Sequence, residues 1–179
     1  MFRFEPMEIE GVWSICPERF DDARGCFFEV FVPDELEKIG IRFPFFQINR
    51  SVSRRGVLRG LHEQFPPQAK LVSVAKGRIF DVAADVRPGS PTYGRHVHAV
   101  LDGESGRMLY IPKGFVHGFL VLSEEAVVTY VCSAPYAPGR SGGVRWDDPT
   151  LNISWPEQPA VLSEKDRALP FLEQRRRAF

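Results

Sequence analysis

Two side chains in this sequence have the type and setting to move a proton beside a carbonyl. His62 closes the run Gly56-Val57-Leu58-Arg59-Gly60-Leu61-His62, and Lys70 follows eight residues later. Each stands alone among glycines and strand-forming residues. That setting suits proton abstraction better than metal capture, which needs several converging ligands. Taking a hydrogen from a carbon next to a ketone requires a base, a group that stabilises the enolate oxygen, and an acid to return a proton. His117, inside Gly114-Phe115-Val116-His117-Gly118-Phe119, and Tyr130 extend the set of groups with such chemistry. A single histidine on an apolar strand is usually a core residue bonded to backbone. His62, Lys70, Arg59, His117 and Tyr130 all fall in or beside strand-like runs, and polar groups seldom enter a barrel interior without a ligand. Together they suggest a lined pocket.

The elements that would position them are short. The chain has 179 residues, 44% apolar and 12% aromatic, enough for one substantial core, so a single domain over residues 1–179 is expected. Runs punctuated by 15 glycines and 15 prolines give an all-β pattern of sandwich or small-barrel type with short peripheral helices. In residues 77–90, Phe80, Val82, Ala84 and Val86 share one face while Asp81 and Asp85 share the other, and a turn follows at Arg87-Pro88-Gly89-Ser90-Pro91. Further strands are expected at 70–75, 96–101, 108–111, 118–122 and 126–132. Period-2 alternation puts Phe115, His117, Phe119 and Val121 on one face, and Val128, Tyr130 and Cys132 on another. Asp34–Ile39 reads as a helix. Ser163-Glu164-Lys165-Asp166 reads as a helix start, with serine as N-cap and aspartate at N3.

Lysine plus arginine balance aspartate plus glutamate at 23 each, so no overall field gathers nucleic acid or an anionic membrane. An anionic ligand must be held by local cations. Cys16, Cys26 and Cys132 are odd in number and lack CxxC spacing, which argues against a disulfide framework or structural zinc site and fits a reducing cytoplasm. The opening residues carry Arg3, Glu5, Glu8 and Glu10, unlike a signal peptide, and no apolar run approaches the roughly 20 residues of a membrane span. His96 and His98, at i and i+2, could form a metal pair completed by His62 or His117. They follow a basic Tyr93-Gly94-Arg95 turn, however, and are expected to face solvent. The Arg175-Arg176-Arg177 run reads as a solvated end.

Longer motifs carry a resemblance. Arg24-Gly25-Cys26-Phe27-Phe28-Glu29, Gln47-Ile48-Asn49-Arg50-Ser51, the Arg59–His62 run, Gln68-Ala69-Lys70 and Gly114–Phe119 occur in order. Tyr130, Tyr136-Ala137-Pro138, Arg145-Trp146-Asp147-Asp148-Pro149 and Leu162-Ser163-Glu164-Lys165-Asp166 follow them. The chain resembles the dTDP-4-dehydrorhamnose 3,5-epimerase family across most of its length. The resemblance implies a cupin-type β jelly-roll barrel, a homodimer to which N-terminal strands contribute, and a C-terminal helical segment. It implies cofactor-independent and metal-independent inversion of C3 and C5 of dTDP-4-keto-6-deoxy-D-glucose to dTDP-4-keto-L-rhamnose through an enolate, in deoxysugar biosynthesis in the cytoplasm.

By position, His62 resembles the general base, Asp166 its orienting carboxylate, Lys70 the cation facing the enolate oxygen, and Tyr130 the acid on the opposite face. Arg24, Phe27 and Glu29 resemble nucleotide contacts from the partner subunit, and Gln47, Asn49 and Arg59 line the same site. His117 resembles a polar group near the sugar, Lys165 a further ligand contact, and Tyr136 the aromatic associated with stereochemical outcome. Three positions depart from the family pattern. Glu63 stands where many relatives carry an aromatic, Pro135-Tyr136 replaces successive tyrosines, and Ser141 aligns with a ligand-contacting glutamate. These leave open a monofunctional 3-epimerase or 5-epimerase of an unusual-sugar pathway. A metal-dependent cupin oxygenase and a non-catalytic sugar-nucleotide binding module rank below it.

Overall fold

The computed structural model describes residues 1–42, 44 and 46–175; of the terminal arginine run, only Arg175 lies among them. In chain order the elements are β1 (Phe2–Pro6), β2 (Trp13–Pro17), β3 (Arg19–Asp22), β4 (Gly25–Phe28), α1 (Pro33–Glu37), β5 (Gln47–Arg54), β6 (Leu58–Gln64) and β7 (Lys70–Lys76). They continue with β8 (Arg78–Asp85), β9 (His96–Asp102), β10 (Met108–Ile111), β11 (Phe115–Val121), β12 (Glu125–Cys132), β13 (Ser141–Gly143), α2 (Glu164–Arg167) and α3 (Leu172–Arg175). The expected strands are present, with β11 starting at Phe115, where the alternation begins, rather than at 118, and the early helix begins at Pro33 and is shorter than expected.

Two antiparallel sheets form the body. One has the order β1-β2-β10-β7-β12-β5 and the other β13-β6-β11-β8-β9, while β3 and β4 make a separate hairpin. Val72 and Val74 of the first sheet meet Ile79, Ala83, Phe115, Phe119 and Val121 of the second in the central core, a jelly-roll barrel. Each such side chain contributes roughly 1.5–3 kcal/mol relative to exposure.

The second sheet is covered on its outer face as well. Trp146, Ile153, Trp155 and Leu162 of the C-terminal segment pack against Leu58, Phe80, Val82 and Leu120. Leu151 and Leu172 cover Leu61, Ala84 and Val116. The two faces of β8 are therefore in the sense opposite to a simple apolar-in pattern. Phe80 and Val82 look outward under the C-terminal segment, while Asp81 and Asp85 lie fully buried. Asp85 is satisfied by Arg87, Ser90 and Thr92 in the following turn.

A glycine seam joins β6 to β11. Gly60 has φ +139°, and a Cβ there would sit 2.5 Å from the Gly118 Cα; a Cβ on Gly118 would sit 2.7 Å from the Arg59 carbonyl oxygen. The strand register shifts at this point, from His117↔His62 to Phe119↔Arg59. Only glycine permits both the backbone angle and the contact.

Candidate active site

A cavity of about 580 Å³ opens at the ends of β6, β7, β12 and β13, and α2 closes one side of it. His62, Lys70, Tyr130 and Asp166 line it, together with Asn49, Arg59, Tyr136 and Lys165. Eight sequence-nominated residues thus converge.

His62 sits near the end of β6. Its Nε2 lies 2.6 Å from Asp166 Oδ1, in the first turn of α2. The helix start predicted from Ser163 is present, and the Ser163 hydroxyl accepts a hydrogen bond from the Asp166 N–H. Asp166 Oδ2 also accepts from the Gly60 N–H, so the helix cap and the glycine seam fix the carboxylate from two sides. Burial opposes its ionisation, but bonds from His62, Gly60 and Ser163 outweigh that and hold its carboxyl below the usual carboxylate range. With Asp166 at Nε2, Nδ1 is the His62 nitrogen left to accept a proton.

Lys70 begins β7 and is paired in register with Cys132 of β12. Burial pushes its ammonium below the ordinary lysine value, against the opposing pull of Cys132, Asp81 and Glu63. Tyr130, on β12 across from Asn49, is pushed up by burial and by Cys132, with Arg59 opposing. Its phenol therefore stays protonated at neutral pH and is available to donate. Arg59 is held by its Nε donating to the Ser53 hydroxyl at 2.9 Å.

The rim is tied by amide side chains. Gln47 donates to Asn49 Oδ1 at 2.6 Å and accepts from the Tyr136 N–H at 2.7 Å, so it orders two lining residues without being part of the wall. Gln64 and Gln68, which also line the cavity but were not nominated from sequence, donate to the carbonyls of Pro135 and Ala134. Lys165 donates to Ser141 Oγ at 2.8 Å. Glu63 accepts from Arg175 of α3 at 2.7 Å, and burial raises its carboxyl.

The remaining nominated residues lie outside the wall. His117 is buried, in register with His62 on the adjacent strand, with Nε2 2.7 Å from Asp81 Oδ1. Burial lowers its imidazole, more than the neighbouring Asp81 raises it, and Lys70 and His62 add to the lowering. Arg24, Phe27 and Glu29 are on or just after the exposed β3–β4 hairpin. Arg24 pairs with Asp22 at 2.5 Å, Phe27 is 67% exposed, and Glu29 approaches the Met1 amino group.

His98 is exposed as expected and stacks on Phe80 with centroids 4.6 Å apart. His96 is half-buried and bonded to the Leu151 backbone, which corrects the expectation of an exposed pair. Among the described residues, no three His, Cys, Asp or Glu side chains gather as a metal-holding group.

The arrangement joins an oriented imidazole, a buried ammonium and a protonated phenol in one cavity. It has the parts needed to remove and return protons beside a carbonyl. Comparison with known proteins points the same way. Residues 6–174 match the family model described as dTDP-4-dehydrorhamnose 3,5-epimerase. The chain is 45% identical over 170 residues to the dTDP-4-dehydrorhamnose 3,5-epimerase of Methanothermobacter thermautotrophicus, covering 93% of this chain and 92% of that one. It is 42% identical over 179 residues to a dTDP-4-dehydrorhamnose 3-epimerase of Streptomyces niveus, covering 98% of this chain and 86% of that one. Among solved structures it superposes with a TM-score of 0.94 on the dTDP-6-deoxy-D-glucose-3,5-epimerase of Legionella pneumophila in complex with dTDP-4-keto-L-rhamnose. That protein is 43% identical, with 97% of this chain and 94% of that one covered.

Proposed function

The chain belongs to the dTDP-4-dehydrorhamnose 3,5-epimerase family and is a carbohydrate epimerase, and from that premise we propose that it inverts C3 and C5 of dTDP-4-keto-6-deoxy-D-glucose to give dTDP-4-keto-L-rhamnose. The observation that carries this reading is the oriented His62–Asp166 pair in the same cavity as Lys70 and Tyr130.

In this reading His62 Nδ1 removes the proton from a carbon flanking the C4 ketone; the C–H electron pair becomes the enolate carbon–carbon double bond and the carbonyl π pair moves onto the ketone oxygen. Asp166 stabilises the imidazolium that forms. The Lys70 ammonium faces the enolate oxygen, where a charge shielded from water acts strongly on developing negative charge. Tyr130 returns a proton to the opposite face as the enolate collapses and regains one from water, His62 releases the proton it took to water, and the cycle repeats at the second carbon. These are proton transfers throughout, so the residues supply the chemistry without a redox cofactor or metal.

Arg59 and Lys165 would hold the diphosphate, Asn49 the remaining polar groups and Tyr136 the sugar's flank, with Gln47 ordering Asn49 and Tyr136 from behind and His117 backing the wall beside His62. The β3–β4 hairpin supports a homodimer. Its Phe20 and Phe27 are exposed, as are Ile48 and Val52 on the outer face of β5. An exchanged hairpin would carry Arg24, Phe27 and Glu29 to the partner's cavity. No helix among the described residues is long and apolar enough to cross a membrane, and we assign the reaction to the cytoplasm.

Incubation with the keto-sugar nucleotide in deuterated water should label C3 and C5. Absence of label at both carbons ends the proposal. Label at C3 alone favours a 3-epimerase, a second reading supported by the Streptomyces niveus relative and by the altered rim at Glu63 and Ser141.

A further inference from the structure

Of the two fully buried acids of β8, Asp85 is satisfied by Arg87, Ser90 and Thr92, while Asp81 is left without an assignment by the proposed chemistry. Asp81 lies in the middle of β8 with no solvent exposure. One of its oxygens meets His117 Nε2 at 2.7 Å, while the other, Oδ2, is buried with no hydrogen-bond partner among the described residues.

An unpaired carboxylate oxygen inside a barrel costs stability, because it gives up its water and gets nothing in return. Holding the His117 ring requires only a neutral acceptor. Two cationic or ionisable groups stand within its reach. His117 pairs in register with His62, and the field of Asp81 reaches Lys70.

We propose that Asp81 is a positioning residue for the epimerisation, acting from behind the cavity wall by fixing the His117 ring and keeping the Lys70 ammonium charged. The proposal rests on the epimerase reading above. Asp81 is absent from the cavity lining, so it works through its neighbours. By accepting from Nε2–H it sets the His117 tautomer and leaves Nδ1 as an acceptor. Its field opposes the loss of the Lys70 proton that burial promotes. The other groups facing Lys70 are Cys132 from β12, Glu63 from β6 and His117 from β11. Of the two carboxylates in this set, Asp81 is fully buried and Glu63 is already bound to Arg175.

The test is Asp81→Asn in the full chain, assayed for deuterium incorporation and inversion across pH, with dTDP binding and thermal melting measured alongside. Expected are a fall in kcat of about 10–100-fold, KM and dTDP affinity within about threefold of wild type, and a basic limb of the pH–rate profile moved to lower pH. The limb moves in that direction because removing an anion beside Lys70 lets the ammonium deprotonate earlier. In a Lys70→Met background the same change should add little further loss, since the two act as one unit. An unchanged kcat, or a fall with an unmoved basic limb, overturns the proposal. If Asp81→Asn does not fold, Asp81→Ser takes its place. If neither folds, the carboxylate is a folding determinant and the positioning role is overturned. A wild-type protein that incorporates no deuterium sinks the epimerase reading instead, so the two failures are distinguishable.

Discussion

Two histidine–carboxylate pairs stand side by side on β6 and β11, alike in geometry and unlike in access. His62 meets Asp166 at 2.6 Å and His117 meets Asp81 at 2.7 Å, but the side-chain exposures are 38% for His62 and 6% for His117. A base that turns over must touch its substrate and pass its proton to water. The outer pair can do both, and the inner pair can do neither. The contrast teaches that the bond alone does not define the role, since burial decides whether a dyad carries protons or holds its neighbours in place.

The sharpest way to break this contrast is to remove each imidazole in turn. His62→Asn should lower kcat by roughly 10³-fold and abolish deuterium incorporation at both carbons. His117→Asn should lower it by about tenfold with exchange preserved. Equal losses would erase the distinction.

Next in size is Tyr130→Phe. It should cost roughly 10²-fold in inversion, while His62 continues to exchange protons on its own face. Nuclear magnetic resonance of recovered substrate should then find label incorporated with retained configuration. Loss of all exchange would mean that the phenol, and not the exposed dyad, takes the first proton.

The pH profile sharpens the comparison further. Burial lowers Lys70 and raises Tyr130, moving loss of the ammonium proton toward lower pH and loss of the phenol proton toward higher pH. The basic limb of kcat/KM should therefore belong to Lys70, and should be unmoved in Tyr130→Phe when residual turnover is followed.

The smallest effect is expected on the far side of the same sheet. His98→Ala removes an exposed ring that stacks on Phe80, and should change folding stability by less than about 0.5 kcal/mol and leave epimerisation intact. Loss of activity there would point to a role for the His96–His98 pair that the cavity does not predict.

Much of the barrel and of its cavity is legible in the amino-acid sequence. The inward alternation of Phe115, His117, Phe119 and Val121 is present in β11, and Ser163 caps α2 as its sequence context suggests. These signals are local, set by period-2 geometry and by one side chain satisfying a free backbone N–H. Asp81 is legible only as half of a polar face. Because the C-terminal segment covers the outside of β8, both faces are buried and alternation no longer tells inside from outside. The available clue is an aspartate inside the otherwise apolar Ile79–Ala84 run. Likewise the Glu63–Arg175 bond joins positions 112 residues apart, and no pattern along β6 announces a partner that only tertiary folding delivers. Gln64 and Gln68 give no sign of belonging to the wall, since an amide bonded to a distant carbonyl looks like any surface glutamine.

The contact between Gly60 and Gly118 limits how such an enzyme can diversify. With the two backbones touching, the spacing of the imidazoles at 62 and 117 has no slack through which drift could retune it. New substrate preferences must therefore arise where side chains are bulky, replaceable and near solvent, at 63, 136 and 141. A lineage built on this seam keeps its reaction and negotiates its selectivity at the doorway.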